Sequence, residues 1–109
     1  DSEIAPGISV HHVGGHTMRM QFVRVMTARG WVVLASDASH FYANFEDSAP
    51  FPIVYNVADM LKGFDKMRSL ASTGNHIIPG HDPQVMIRYP GAKTPGVGAV
   101  VRLDQSPNS

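Results

Sequence analysis

The chain has 109 residues, 43% of them hydrophobic, which is enough apolar material for one small globular domain and too little for two. Nine acidic residues balance nine basic ones, so no net charge directs the chain to nucleic acid or to an anionic membrane. Cysteine is absent, which excludes disulfides, thiolate zinc sites and cysteine nucleophiles.

In chain order, the alternation from Ile8 to Val13, with Ile8, Val10 and His12 on one face, predicts a short strand that Gly14-Gly15 breaks. Met20 to Thr27 predicts a second strand, with Phe22, Arg24 and Met26 on one face and Val23 and Val25 on the other. Ala28-Arg29-Gly30 supplies a hairpin turn. Trp31 to Ser36, nearly continuous in apolar residues, then reads as a central strand covered on both faces. Phe41 to Glu46 fits a short helix, and Ala49-Pro50-Phe51-Pro52 a rigid extended loop.

The clearest helix is expected from Val57 to Ala71. Val57, Met60, Leu61, Phe64, Met67, Leu70 and Ala71 share one stripe, and Lys62, Asp65, Lys66 and Arg68 form a solvated opposite face. Asn56 suits the N-cap, Asp59 suits the positive first turn, and Ser72-Thr73-Gly74 closes the far end. Gly63 inside this helix costs about 1 kcal/mol relative to alanine. His76 to Ile78 reads as a short strand with a structural His76, and Gln84 to Tyr89 as a helical turn. Beyond Pro90 the composition is rich in Gly, Pro, Ser and Asn. Residues 1–90 thus form the domain, and 91–109 a tail with an edge strand over Val97 to Leu103 and a disordered end. The longest apolar run, Trp31 to Ala35, falls far short of the ~20 residues that span a bilayer. With no signal-like start in Asp1-Ser2-Glu3, the expectation is a soluble, cytoplasmic α/β domain.

Three segments share one design: Gly14-Gly15-His16-Thr17, Ser36-Asp37-Ala38-Ser39-His40 and Pro79-Gly80-His81-Asp82-Pro83. In each, a strand ends in a tight turn that leaves a His or Asp at the tip. Imidazoles and a carboxylate are ligands that borderline divalent ions such as zinc accept. His16, Asp37 and His81 are therefore candidate metal ligands at one sheet edge. Asp37 has an alternative as the N-cap of a helix starting near Ser39, and Asp82 either orients His81 or caps the next helix. His40 reads either as an electrophile or proton donor or as a surface histidine. The adjacent His11 and His12 point to opposite faces of a strand and form no ligand pair.

With Phe41-Tyr42-Ala43-Asn44 following the middle segment, these motifs resemble the C-terminal half of the metallo-β-lactamase superfamily, most closely its N-acyl homoserine lactonase branch. The resemblance runs from about Ile4 to Tyr89. It implies half of an αββα sandwich and a dinuclear, usually zinc, centre in which His16 ligates one ion, Asp37 bridges both and His81 ligates the other. It also implies opening of an N-acyl homoserine lactone or a related lactone or ester by a metal-bound hydroxide, with His40 or Tyr42 as a second electrophile. His40 stands where the branch often carries a tyrosine. The His-x-His-x-Asp-His motif that supplies the remaining ligands is not in this sequence. The chain alone is therefore expected to bind metal weakly and to be inactive. Completion would come from an N-terminal half or from a homo-oligomer. The alternative is a non-catalytic half-fold or interaction module that pairs with another chain, because half a sandwich leaves an apolar sheet face uncovered.

Overall fold

The structure, a computed structural model, describes residues 1–92 and 99–108. Five strands, β1 (Ser2–Ala5), β2 (Ile8–Val13), β3 (Met20–Thr27), β4 (Gly30–Ser36) and β5 (Ile77–Pro79), form one sheet in chain order. The first four pair antiparallel through short connections, the longest being the loop 14–19 between β2 and β3; β5 returns parallel to β4. The long crossover that a parallel pair requires contains α1 (Tyr42–Glu46), α2 (Val57–Leu70) and a 3-10 turn (Gly74–His76). After β5 comes α3 (Gln84–Arg88).

The elements follow the sequence pattern closely, with one addition. β1 was not expected as a strand, and all four of its residues are exposed, so no buried face announces it. α2 begins at its expected cap, where the Asn56 side chain accepts from the Asp59 amide. Its Met60, Phe64 and Met67 lie against Phe22, Val13, Val33, Ala35 and Ile77 of the sheet. Val57 and Leu61, at the edges of the expected stripe, are exposed. Gly63 has a packing reason that propensity hides: a Cβ there would come within 2.6 Å of Val13 on β2. Ser72 ties the end of α2 to β4, its amide donating to the Trp31 carbonyl and its Oγ accepting from the Trp31 amide. His76 is structural, bonded to Thr73 and to the Arg29 carbonyl.

β4 is covered on both faces, as its apolar run predicts, but it is the penultimate strand rather than the central one. Val33 and Ala35 face the helices, while Val32 packs with Ile78, Tyr89, Leu34, Val101 and Leu103. The second cover thus comes partly from the segment assigned to the tail. The expected edge strand lies partly outside the described residues; within them the pairing is a single bridge, Gly91 to Val101. The end expected to be disordered is placed against α3, with the Asn108 amide donating to the Arg88 carbonyl at 2.5 Å. This cover does not reach the far strands. Ile8, Val10, Val23 and Val25 continue the same face by register and stay half-exposed.

Candidate metal centre

The three strand tips meet at one end of the sheet. Parallel pairing of β4 and β5, with Leu34 opposite Ile78 and Ser36 opposite Pro79, brings Asp37 and His81 out side by side. Backbone bonds extend this pairing past the strand ends: the Gly80 amide donates to Ser39 at 2.9 Å and the His81 amide to His40 at 2.9 Å. Ser36 takes a left-handed φ of 52°, an unfavourable conformation for a residue with a Cβ, and so turns Asp37 off the strand. His16 arrives from the β2–β3 loop. Gly15 before it has φ 119° and packs so tightly on α2 that a Cβ would lie 2.6 Å from the Met60 Cα. The Gly15 carbonyl accepts from the Tyr55 and Asn56 amides, locking this loop to the start of α2.

Asp37 is the hub. Its Oδ1 lies 2.6 Å from His81 Nε2 and 3.0 Å from His40 Nε2. The ligand atoms of His16, Asp37 and His40 all lie within 4.8 Å of one another. Partial burial works to raise the Asp37 carboxyl pKa. The hydrogen bond from His81 and the charges of His81, His16 and His40 outweigh it and hold the group below the usual carboxylate range. Burial, with His81 adding to it, holds His40 below the ordinary imidazole value despite Asp37 beside it. The capping role open to Asp37 is not taken, because α1 starts at Tyr42 with Phe41 as its cap residue.

The donor set suits a divalent ion. A backbone carbonyl can only accept, so the bond between His16 Nδ1 and the Ile53 carbonyl at 3.0 Å places the proton on Nδ1 and leaves the Nε2 lone pair free for a cation. Two imidazole nitrogens crowd a single carboxylate oxygen, an arrangement in which an ion can take the place of the shared protons.

Asp82 does not touch the His81 ring through its carboxylate bonds. Its Oδ1 accepts from the Gln84 amide and its Oδ2 from the Tyr42 amide, so it caps the start of α3 and ties α1 to it. It holds the loop that carries His81. Tyr42 is not brought to the cluster. It is buried in the core beside Phe45, with the Arg88 guanidinium 3.5 Å above its ring and its hydroxyl unpartnered among the described residues. Burial pushes that hydroxyl up to about 12. Sequence reading missed Phe51, which stacks on His40 at 3.7 Å with planes 6° apart and meets His16 edge-on. An aromatic between two prolines is the signal that marked it: a side chain held at a fixed place on a stiff loop.

No family model matches the chain. Among curated proteins it is 36% identical over 73 residues to an N-acyl homoserine lactonase of a Bacillus species and 34% identical over 73 residues to one of Bacillus cereus. These alignments cover 66% of this chain, which spans 25% of the length of either relative. Among solved structures it superposes with a TM-score of 0.69 and 29% identity on a variant of B. thuringiensis AiiA with N-decanoyl-L-homoserine bound at the active site. The same values hold for an N-acyl homoserine lactone hydrolase with the product N-hexanoyl-L-homoserine bound at its catalytic metal centre. Each superposition covers 78% of this chain and 34% of the other.

Proposed function

We propose that the chain belongs to the N-acyl homoserine lactonase branch of the metallo-β-lactamase superfamily, carries a C-terminal part of its domain, and supplies one side of a hydrolytic metal centre. The substrate class is an N-acyl homoserine lactone or a related lactone or ester. The observation that carries this reading is the meeting of Asp37 with imidazoles from three separate loops. In the complete domain His16, Asp37 and His81 would be among the residues that hold the divalent ions; their nitrogen and carboxylate donors suit zinc. Such ions, when bound, supply a water of lowered pKa and polarise the carbonyl under attack. The chain's own contribution is positioning. Gly15, the Ser36 turn and the 80–81 backbone bonds fix the three tips, and the Phe51 ring walls the site and fixes the plane of His40.

The complete domain also supplies the missing ligands and a second sheet. The half-exposed strip of Ile8, Val10, Val23 and Val25 supports this, since burying it is worth several kcal/mol at ~25 cal/mol per Å². The same strip supports the second reading, a pairing module that covers it with another chain and does no chemistry. Ring opening of N-hexanoyl homoserine lactone, followed by acid release, separates the two. Zinc-loaded complete domain is expected to turn over and to stop on chelation or with Asp37→Asn. Tight pairing of this chain with no metal-dependent turnover would favour the module.

A further inference from the structure

We propose that His40 is a metal ligand, completing with His16 and Asp37 a site that holds one divalent ion within this chain. The inference rests on the metal-centre reading above and changes what this chain needs from the rest of the domain. Two ions shared among His16, Asp37 and His81 leave each under-coordinated. One ion on His16, Asp37 and His40 has the three protein ligands of a catalytic zinc site, with a fourth position open to water.

The geometry favours these three. Their ligand atoms already lie within 4.8 Å of one another. In a tetrahedral site with bonds near 2 Å the spacing is roughly 3.3 Å, so closure asks for a contraction on the order of 1 Å. His40 is also the more confined of the two imidazoles bonded to the carboxylate, its side chain 19% exposed against 58% for His81. Stacking on Phe51 fixes its plane, and its backbone carbonyl is held by the His81 amide. That confinement suits a ligand, whose ring must stay put, better than the proton donor expected at this position, whose ring must follow the substrate. His16 is pre-set by its bond to Ile53. In the chain carrying this one ion His81 stays bonded to Asp37 Oδ1 at 2.6 Å, and in the complete domain its ring is available to the second ion. Two imidazoles and one carboxylate suit zinc, cobalt(II) or iron(II) rather than magnesium or calcium.

The experiment titrates Zn²⁺ into the 109-residue chain against a chromophoric chelator and repeats it with His16→Ala, His40→Ala and His12→Ala. The expected result is one equivalent bound, with affinity falling tenfold or more in His16→Ala and His40→Ala and less than threefold in His12→Ala, whose exposed ring lies away from the cluster. Loss in His16→Ala with His40→Ala unchanged overturns the inference and leaves the metal-centre reading standing. If neither variant changes binding, no ion sits at this cluster and both fail. A measurement on the unmutated chain guards against a variant that fails to fold: ¹¹³Cd bound to ¹⁵N-labelled protein should show scalar coupling to the ring nitrogens of His16 and His40. Coupling to His16 and His81 without His40 overturns the inference.

Discussion

The molecule holds two histidine-centred clusters that use similar residues to opposite ends. On β2, His11 is buried and stacked on Phe22, with ring centroids 5.3 Å apart. Its Nδ1 faces Asp1 at 3.2 Å and its Nε2 faces Ser9 at 2.8 Å. Each ring nitrogen has one partner, and Asp1 is satisfied further by the His12 amide and the Lys66 ammonium. At the strand tips, two imidazoles converge on one oxygen of Asp37, and a third ring is fixed by a backbone carbonyl with its other nitrogen free. Histidine content alone does not separate the clusters. What separates them is whether the donors and acceptors close among themselves or leave room for a cation.

That contrast can be broken most sharply at Asp37. Asp37→Ala is expected to lower metal affinity roughly a hundredfold or more, because it removes the carboxylate at the hub. Circular dichroism should stay unchanged, whereas the same substitution at Asp1 should leave metal affinity as it was. Next is Gly15→Ala, which adds a Cβ 2.6 Å from the Met60 Cα at a φ of 119°. It should cost about 2–4 kcal/mol in urea unfolding and weaken metal binding by displacing His16. Tyr42→Phe sharpens the comparison from the core side. It removes a buried hydroxyl that has no partner among the described residues, and is expected to be neutral or to stabilise by up to about 1 kcal/mol.

The smallest effect lies at His11. Burial, with Lys66 and Arg24 adding to it, holds this imidazole below its ordinary pKa. The unfolded chain therefore takes up the proton first as pH falls. Stability from this group is fully present above about pH 6.5 and is lost as pH drops through the lower folded value. His11→Phe should flatten that part of the stability-against-pH curve without touching metal affinity.

Much of this was legible in the sequence where a local pattern carries the information. The apolar stripe and the Asn56 cap mark α2, and alternation marks β2 and β3. The His16, Asp37 and His81 motifs were legible because a strand end followed by a tight turn aims one side chain outward. β1 was not, since strand pairing alone holds its four exposed residues and leaves no periodicity to read. Tyr42 shows a different limit. Counting two residues past His40 placed it beside the site, but α1 begins there and rotates the ring into the core. Phe51 came from a loop whose path over the site depends on Gly15 binding Tyr55 and Asn56, a contact between segments about forty residues apart.

The parallel pairing of β4 with β5 also sets an order in time. The hairpins of β2, β3 and β4 close over short stretches of chain, whereas Ser36 and Pro79 meet only after a long crossover has been ordered. Asp37 and His81 therefore come together late, once the rest of the sheet exists. An ion that bonds Asp37 and His81 together is therefore expected to slow unfolding more than it changes the folding rate, a latch that stopped-flow unfolding with and without Zn²⁺ would reveal.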